Sequence, residues 1–422
     1  MITPAYSPTA TERVLPRLAL DFTTGVLDSR VTVTRALNTA TRVNSSGFIE
    51  SVNADIPRFD YDPVTFLPKG LLIEETRSNL HRQSEAFSSP WTTTRASVVS
   101  AAVQAPSGVN SVIAFTEDAT NNFSHELYQN TTKAASAITY TYSLYVKKAG
   151  RDWICVTIWD NSANGNRFWF NVNTGAKGST TTFGTPFTSA TYDIVAAQAG
   201  FYKIFMTLTS NTATNLAVTL YSTNADNSTA PAVALNAAGL YVYGSQLEAG
   251  AFATSYIPTT TTSLTRNADV VSMTGTNFSD WYNATEGTFM ANVSSLGTFA
   301  FNSVIDANDG TTLNRIGIRY NSASVASGLI IVNNVQQGPV NPATAPNAAA
   351  SKFVLAYKAD SFAASYRAST VATDTSGTVP TVTQLDIGNF ISSSASQLNG
   401  HFIQLSYYPL RLTNNEVQAF SK

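Results

Sequence analysis

The chain has 422 residues, of which 43% are apolar, 11% aromatic and 12% charged, and its 25 basic and 27 acidic residues give a net charge of −2. This near-neutral balance excludes nucleic-acid binding through a basic patch, because phosphate neutralisation requires clustered Lys and Arg. The single cysteine, Cys155, excludes an intramolecular disulfide, and three scattered histidines make a His-rich metal site unexpected.

The length predicts two to four domains, and the charged fraction is about half of that usual in soluble proteins. No apolar run approaches the roughly 18 residues of a membrane helix, so we expect no membrane insertion. The first 16 residues lack a basic stretch followed by an apolar core, so we expect no secretory signal. We therefore expect a protein that folds in a cytoplasm and is released by lysis.

Short runs with period-2 alternation, bounded by Gly, Asn, Asp and Pro, recur along the chain and predict β-strands. In chain order, the residues that share one face of such a run are Tyr140, Tyr142, Leu144 and Val146; Tyr202, Ile204, Met206 and Leu208; Leu216, Val218 and Leu220; Leu240 and Val242; Phe289, Ala291 and Val293; Ile316, Ile318 and Tyr320; Phe353, Leu355 and Tyr357; and Ile403, Leu405 and Tyr407. Strands this short and regularly spaced predict antiparallel sandwiches.

One helix is predicted at the C-terminal end of the sequence. Thr413 and Glu416 have the spacing of a capping box, in which the Thr hydroxyl accepts from an amide of the first turn and the Glu reaches back to the cap amide. Leu412 and Val417 have the spacing of a hydrophobic staple. The sequence therefore predicts a short helix over residues 414–420.

Two boundaries divide the sequence. The first lies before residue 80, in a stretch that combines proline, acidic residues and a short apolar cluster. The second lies in a Thr-rich stretch, residues 254–266, which predicts an extended linker. We expect a small N-terminal region over residues 1–75, a central module over 76–263 and a C-terminal module over 264–422. The predicted class is all-β: two antiparallel β-sandwiches in series behind the N-terminal region, with one short C-terminal helix.

Several segments resemble structural appendage proteins of tailed bacteriophages, described as tail-fibre, spike or head-fibre proteins. These segments are residues 57–63, 69–80, 87–91, 143–147, 170–175, 243–250, 254–258 and 265–270. The resemblance implies that the central module is a jelly roll similar to carbohydrate-binding modules. The C-terminal module resembles a concanavalin/laminin-G-type lectin sandwich, which opens at residues 286–289 and closes with residues 407–412 and the capped helix.

The resemblance implies a virion protein that binds host surface glycans during adsorption, on head, collar or tail. It implies that residues 1–75 contact other phage structural proteins and that the chain forms a homotrimer. Aromatic residues expected on exposed strand faces, Tyr145, Phe205 and Tyr243, agree with faces covered between subunits. The alternatives are a head or collar decoration protein with no glycan ligand and a polysaccharide depolymerase.

The segment around residues 57–80 carries clustered charges, namely Arg58, Asp60, Asp62, Glu74, Glu75 and Arg77. We expect the arginines to pair with the carboxylates where the N-terminal region meets the central module. The alternative is acid/base chemistry, in which two carboxylates flank a glycosidic bond at about 5–9.5 Å. Neighbouring strand residues point to opposite faces, so Glu74 and Glu75 cannot both face one substrate. We therefore expect no catalytic residue and no enzymatic activity.

The tryptophans of residues 153–169 are the candidate ligand site. Trp153 and Trp159 share the face of a predicted strand opposite the apolar Ile154, Val156 and Ile158, and Trp169 with Arg167 points outwards from the next strand. If the strands are neighbours, the three tryptophans offer aromatic faces for sugar rings. The residues predicted to bind carbohydrate are Trp153, Trp159, Trp169, Asp160 and Arg167. The alternative is that these rings pack in a second sandwich face or in a subunit interface.

The remaining candidates are a metal site and isolated reactive side chains. Asp306, Asn308 and Asp309 form a turn cluster with hard oxygen ligands, as in calcium loops, but the distal bidentate Glu is missing. Asp-Gly is also simply a turn dipeptide. We expect no cofactor, with calcium at this turn as the alternative. His125 and His401 are expected to be packed or surface residues, not catalytic ones.

Overall fold

In the computed structural model of the chain, strands make up 49% and helices 4% of the residues, which confirms the predicted all-β class. The residues described are 15–296, 301–322, 325–337, 340–342, 346, 348–391 and 396–422. Neighbouring strands in the sheets are antiparallel. Among the described residues, helices are too short or too polar to cross a membrane.

The N-terminal part of the chain consists of short strands separated by turns. They are β1 (Leu18–Asp21), β2 (Thr32–Thr34), β3 (Ala40–Val43), β4 (Ile49–Val52), β5 (Phe59–Tyr61), β6 (Pro68–Ile73) and β7 (Arg77–Asn79). A 3-10 helix over Phe22–Thr24 follows β1, where the Asp21 carboxylate accepts from the Thr23 amide. Strands β3 and β4 pair only with each other, as a hairpin.

The central module is a two-sheet sandwich. Its strands are β8 (Thr92–Thr94), β9 (Ala96–Ala101), β10 (Val112–Glu117), β11 (His125–Thr132), β12 (Thr139–Lys148), β13 (Trp153–Trp159), β14 (Gly165–Asn171), β15 (Ala176–Phe183), β16 (Thr188–Ala196), β17 (Tyr202–Thr209), β18 (Asn215–Thr223) and β19 (Ala238–Ala249). Sheet 1 has the order β16-β17-β12-β19-β10-β9, and sheet 2 has the order β15-β14-β13-β18-β11-β8. The alternating residues predicted for these strands lie in or against the core between the two sheets. A second 3-10 helix, Gln198–Gly200, lies between β16 and β17.

The C-terminal module is a second, larger sandwich. Its elements are β20 (Leu264–Arg266), β21 (Val270–Thr274), α1 (Thr276–Ser279), β22 (Glu286–Ser295), β23 (Asn302–Asn308), β24 (Arg315–Ser322), β25 (Val325–Val332), β26 (Val335–Gln336), β27 (Ser351–Lys358), β28 (Phe362–Tyr366), β29 (Ala372–Asp374), β30 (Gln384–Ile387), β31 (Gly400–Tyr408) and α2 (Asn414–Phe420). Sheet 3 has the order β29-β28-β27-β22-β31-β6-β5, with β1 also on β31. Sheet 4 has the order β2-β21-β30-β23-β24-β25-β26.

The predicted N-terminal region is, within the described residues, not a separate module. Strands β1 and β6 pair with β31, β5 pairs with β6, and β2 pairs with β21. Leu18, Phe59 and Leu71 are buried in the core of the C-terminal sandwich. The two predicted sandwiches are present, and the N-terminal strands complete the sheets of the second one.

Helix α2 begins and ends where the capping pattern predicted. The Thr413 hydroxyl accepts from the Glu416 amide, and the Glu416 carboxylate accepts from the Thr413 amide at 2.8 Å. Leu412 and Val417 are both buried in one small cluster under the helix, as a hydrophobic staple requires. The local sequence signal alone was sufficient here, and the prediction is confirmed.

The predicted extended linker is packed onto the central module. Thr254, Tyr256 and Ile257 are buried, and the Asn79 amide donates to the carbonyls of Ser245 and Ile257 at 3.0 and 2.9 Å. The composition of the stretch suggested a free linker, but its backbone polar groups are bonded to buried side chains. We call this packed stretch, residues 254–266, the strap.

Two aromatic residues expected on a face between subunits are covered by the chain itself. Tyr145 and Tyr243 lie on the outer face of sheet 1, where they pack with Tyr256 of the strap and Ile49 of the β3–β4 hairpin. Phe205 is half-buried. The cover that these aromatics require is therefore intramolecular for Tyr145 and Tyr243.

One residue of a predicted strand, Ile403, is out of phase. In β31, Phe402, Leu405 and Tyr407 are buried in the core, whereas Ile403 is half-buried. The register to β22 shifts between Asn292 and Val293, which leaves Ile403 as the extra residue of a β-bulge. A strict period of two cannot reveal such an insertion.

Candidate functional site

Strand β13 divides its side chains between the core and the outer face of sheet 2, as predicted. Ile154, Val156 and Ile158 are buried between the sheets. Trp153 and Trp159 lie on the outer face and are half-buried. The register pairs β13 with β14 on one side and with β18 on the other, so the outer face of β13 is central in sheet 2.

The three predicted tryptophans do not form one platform. Trp153 and Trp159 are six residues apart on one strand, which separates them by roughly 20 Å. Trp169 pairs with Cys155 and therefore lies near Trp153, away from Trp159. The two strands are neighbours, which is the condition that a shared platform requires, but the spacing along β13 places the rings at two ends of the face.

The Trp153 end of the face is occupied by protein. Trp169 is only 2% exposed, and its Nε1 donates to the Ser228 carbonyl at 2.7 Å. Gly178 is packed against both rings, since a Cβ there would lie 2.6 Å from Trp153 and 3.0 Å from Trp169. Trp169 is therefore packed within the protein, which was the alternative to sugar binding.

The Trp159 end has a second aromatic ring that is only half-buried. Trp159 and Phe183 are both half-buried, with ring centroids 6.5 Å apart. Gly165 lies between them in the sheet, and a Cβ at this glycine would be 2.5 Å from Trp159 and 2.8 Å from Phe183. The missing side chain therefore allows the two rings to face the same space. We call Trp159, Phe183 and the adjacent Arg167 the aromatic corner.

Phe183 orients the Arg167 guanidinium, which has no hydrogen-bond acceptor among the described residues. Its guanidinium carbon lies 4.6 Å from the centre of the Phe183 ring, an arrangement that fixes the plane of the group. The Arg167 side chain forms no ion pair or hydrogen bond with any described residue, and its Nε is buried without a partner. A buried donor without an acceptor costs about 1–3 kcal/mol.

A row of polar and aromatic side chains continues from Arg167 across sheet 2. The register brings Thr157, Thr219 and Tyr128 in line with Arg167 on successive strands. The Thr157 hydroxyl is buried, within reach of the Cys155 thiol and the Tyr221 hydroxyl. Thr219 accepts from Trp159 Nε1 at 3.1 Å. Tyr128 is not among the residues predicted from the sequence, although it alternates with the buried Leu127 and Gln129 in the way that Trp159 alternates with Ile158.

The far side of this face is acidic. Tyr221 and Glu126 pair across β18 and β11, one step along the strands from the Thr219–Tyr128 row. Burial, and then the negative charge of Glu126, raises the pKa of Tyr221 to about 12, so that it stays a neutral hydroxyl. The face therefore has a guanidinium at one edge and a carboxylate at the other.

Asp160, the fifth predicted ligand residue, stabilises a turn. Its carboxylate accepts from the amides of Ser162, Ala163 and Asn164 and from the side chains of Asn164 and Asn211. Burial alone would raise the pKa of Asp160, but these donors hold it below its usual range. Its acceptor capacity is used by the turn that follows Trp159.

The charges of residues 57–77 pair structurally, as expected. Arg58 forms ion pairs with Glu74 at 2.8 Å and with Asp269, and Arg35 and Arg266 complete this buried ionic centre. Burial would raise the pKa of Glu74, but the guanidinium groups of Arg266 and Arg58 outweigh it and lower the pKa well below its usual range. The centre joins the N-terminal strands to Arg266 and Asp269 of the C-terminal module.

The other charges of this segment have separate partners. Arg77 pairs with Glu75 at 2.6 Å, and Asp60 pairs with His401 of β31 at 2.8 Å. The Asp62 carboxylate accepts from the amides of its own turn. A cavity of about 200 Å³ lies beside the Asp60–His401 pair at the junction of the modules, and Lys69 and Lys203 also line it.

The calcium candidates are bound by protein groups. Asp306 is buried and pairs with Arg315, and the Asn308 amide donates to Asp306 at 3.1 Å and to Asp386 at 2.9 Å. Asp309 accepts instead from Thr311 and Asn314 on the exposed turn. Among the residues that the structure describes, His, Cys, Asp and Glu form no group of three that could hold a metal ion.

All three histidines are buried, and packing was expected for His125 and His401. His81 is buried, contacts the Trp91 and Tyr142 rings, and its Nδ1 lies 2.8 Å from the Ser245 hydroxyl. Burial lowers the pKa of His81 to about 3. His125 Nδ1 lies 2.7 Å from the Arg95 carbonyl, and His401 has Asp60.

Comparisons with known proteins give weak likenesses. No protein-family model matches the chain, and no curated protein matches it in sequence. The chain is similar to the CBM40 of the Ruminococcus gnavus IT-sialidase bound to α2,3-sialyllactose, with 13% identity, 33% of this chain and 83% of that chain covered, and a TM-score of 0.28. Domains LG4-5 of the mouse laminin α1 chain are 8% identical, with 68% of this chain and 85% of that chain covered and a TM-score of 0.21. A Trypanosoma rangeli sialidase complex is 9% identical, with 78% of this chain and 62% of that chain covered and a TM-score of 0.29.

Carbohydrate-binding modules and laminin G domains, the two kinds of sandwich that the sequence resembles, are thus among the similar structures. The expectation that the chain is not an enzyme is contradicted, because sialidases are among them too, at 8–9% identity and TM-scores of 0.27–0.29. Likeness at these TM-scores assigns neither a ligand nor a reaction to this chain.

Proposed function

We propose that the chain is a carbohydrate-binding appendage protein of a tailed-phage virion, a fibre or spike that holds host surface glycans during adsorption. The observation that carries the proposal is the aromatic corner of sheet 2. Its rings are half-buried, and they adjoin the Arg167 guanidinium, whose Nε is buried without a protein partner. Aromatic surface with a few convergent polar groups is typical of small-ligand sites.

The chemistry of a pyranose ring fits this corner. Its C–H face is apolar and packs on Trp159 and Phe183, while its rim of hydroxyls forms hydrogen bonds with Arg167 and with the threonines of the adjacent row. A single weak site with a millimolar dissociation constant corresponds to only about −4 kcal/mol. Many copies on one particle raise the avidity by orders of magnitude, so a virion has no need of a tight single site.

The virion role is proposed from the resemblance of the segments around residues 57–80. In the fold these segments supply Arg58 and Glu74 to the buried ionic centre, which supports a structural part for them. Contact of residues 1–75 with other virion proteins and a homotrimeric state belong to the same proposal. A chain that sediments as a stable monomer at micromolar concentration contradicts the homotrimer.

The binding face is tested by replacing Trp159 with Ala and measuring glycan-array binding and the adsorption of particles to host cells. The matched control is Trp153→Ala, on the same strand and face but at the end that protein covers. We expect Trp159→Ala to reduce binding about tenfold or more, because loss of one stacking ring removes most of a weak contact. We expect Trp153→Ala to bind like the parent chain.

Near-ultraviolet circular dichroism and sedimentation of each variant separate binding from folding. A folded Trp159→Ala chain that binds and adsorbs normally contradicts the proposed site. A parent chain that binds no sugar at millimolar concentration favours a decoration protein without a glycan ligand. If Trp159→Ala misfolds, the ring has a packing role, and the loops near Asp306 and Asn333 become the next candidates.

A further inference from the structure

Arg167 is the only basic residue that the register places on the outer face of sheet 2. The strands of this sheet are described in full, and the other charged residue on their outer face is Glu126. Lys177 of the neighbouring strand pairs with Phe170, whose ring is in the core, and its ammonium lies over Tyr192. The positive charge of the face is therefore concentrated at the aromatic corner.

We propose that the ligand of the aromatic corner is an acidic saccharide whose carboxylate binds Arg167. This inference rests on the proposed function and adds the chemical class of the sugar. A guanidinium only donates hydrogen bonds, and a carboxylate supplies two acceptors in the matching planar geometry. A neutral sugar offers hydroxyls, which satisfy the same donors without the charge.

The environment of Arg167 differs from that of Arg151, a buried arginine of the same module. Arg151 is held by Glu117 through two hydrogen bonds of 2.8 and 2.7 Å. Arg167 has Phe183 beneath it and no carboxylate beside it, and one of its N–H groups is buried without an acceptor. The stacked ring fixes the plane of the group in advance, so an arriving carboxylate meets donors that are already oriented.

The positions of the charged residues on the outer face of sheet 2 determine how a bound acidic sugar is oriented. Neighbouring strands lie about 4.8 Å apart, so a carboxylate at Arg167 places its pyranose ring over Thr157 and beside Trp159. Glu126 lies three strands away from Arg167 and repels a carboxylate at that side. The acidic end of the sugar is thereby directed towards the aromatic corner.

The test uses the full chain and acidic polysaccharides that are each paired with their carboxyl-reduced form, in which the carboxylate is a neutral CH₂OH. Polygalacturonate, alginate and polysialic acid are suitable, with binding measured by biolayer interferometry. The variants are Arg167→Met and Arg167→Lys. The control is Arg95→Met, which removes an arginine that is also stacked on a phenylalanine, at 4.4 Å from Phe123, but outside the aromatic corner.

We expect reduction of the carboxylate to weaken binding about tenfold or more, and Arg167→Met to remove this difference between the two forms. Arg167→Lys, which keeps the charge and loses the planar fork, is expected to fall between them. Arg95→Met should behave as the parent chain does. A parent chain that binds a polysaccharide and its reduced form equally overturns the acidic class and leaves glycan binding intact. A folded chain that binds none of the polysaccharides overturns both proposals.

Discussion

Gly165 shows how one missing side chain makes room for a site. It lies between Trp159 and Phe183 in the sheet, and a Cβ at this position would lie 2.5 Å from the Trp159 Cβ and 2.8 Å from the Phe183 ring, closer than van der Waals contact allows. An aromatic pattern in the sequence identifies Trp159, but the effect of the glycine depends on the strand pairing of β13, β14 and β15. This part of the site could not be predicted from the sequence.

Replacing Gly165 with Ala is expected to separate the two rings and to strain the sheet. The new Cβ would lie 2.5 Å from the Trp159 Cβ and 2.6 Å from the Ile158 carbonyl oxygen. Overpacking of this kind typically costs about 1–3 kcal/mol. Urea denaturation should show this loss, and glycan binding should weaken with it. A variant with the stability and binding of the parent chain would mean that the rings do not depend on this glycine.

The buried histidines predict a pH dependence of stability. The folded-state pKa of His81 is depressed to about 3 by burial, from an unfolded value of 6.5, and burial lowers the pKa of His401 as well. The unfolded chain then binds protons that the folded chain does not. The stabilisation is complete above pH 6.5 and is lost as the pH falls below it, by up to about 1.4 kcal/mol per pH unit for each histidine.

This pH dependence is measured by denaturation between pH 7 and pH 5, above the range in which most carboxylates titrate. His81→Phe keeps an aromatic ring between Trp91 and Tyr142 and removes the titrating group. The loss of stability on acidification should be smaller in this variant than in the parent chain. Equal slopes in the two proteins would exclude His81 as the titrating group.

Helix α2 and the strands show which elements the sequence predicts well. The capping box and staple are local signals, and α2 matched them at both ends. The alternating strands matched as well, except β31, where a bulge shifts the phase at Ile403. The faces that these strands present were harder to interpret, because what covers Tyr145 and Tyr243 comes from distant parts of the chain.

Removing the cap of α2 should have a measurable cost. Thr413→Ala leaves the Glu416 amide without its side-chain acceptor, which typically costs about 1 kcal/mol. Asn414→Ala is the control, since Asn414 is exposed and follows the cap. Chemical denaturation of the two variants tests this point. A cost for Asn414→Ala as large as that for Thr413→Ala would show that the cap is not the source of the stability.

The whole molecule is organised around N-terminal strands that belong to the C-terminal sandwich. Strands β1, β5 and β6 supply three of the eight strands of sheet 3, and β2 is an edge strand of sheet 4. Residues 264–422 alone would expose core residues such as Phe402 and Leu405 that β6 and β1 cover. Composition and local pattern suggested a boundary after residue 75, but non-local strand pairing cannot be read from a local pattern.

Fragments of the chain test this organisation. We expect residues 264–422 to be insoluble or unfolded alone and to fold when residues 1–80 are co-expressed with them. Residues 76–263, which contain both central sheets and the start of the strap, should fold more readily. Circular dichroism and thermal melting of the purified fragments give the comparison. A cooperative thermal transition of residues 264–422 alone would show that the N-terminal strands are not required.

A crystal structure of the full chain with a bound oligosaccharide would show whether sheet 2 binds a saccharide at the aromatic corner. We expect a sugar ring within about 4 Å of Trp159 and Phe183, with an acceptor oxygen of the sugar in hydrogen-bond distance of the Arg167 guanidinium. A sugar bound instead in the cavity between Lys203 and His401, or on the loops near Asp306 and Asn333, would contradict it.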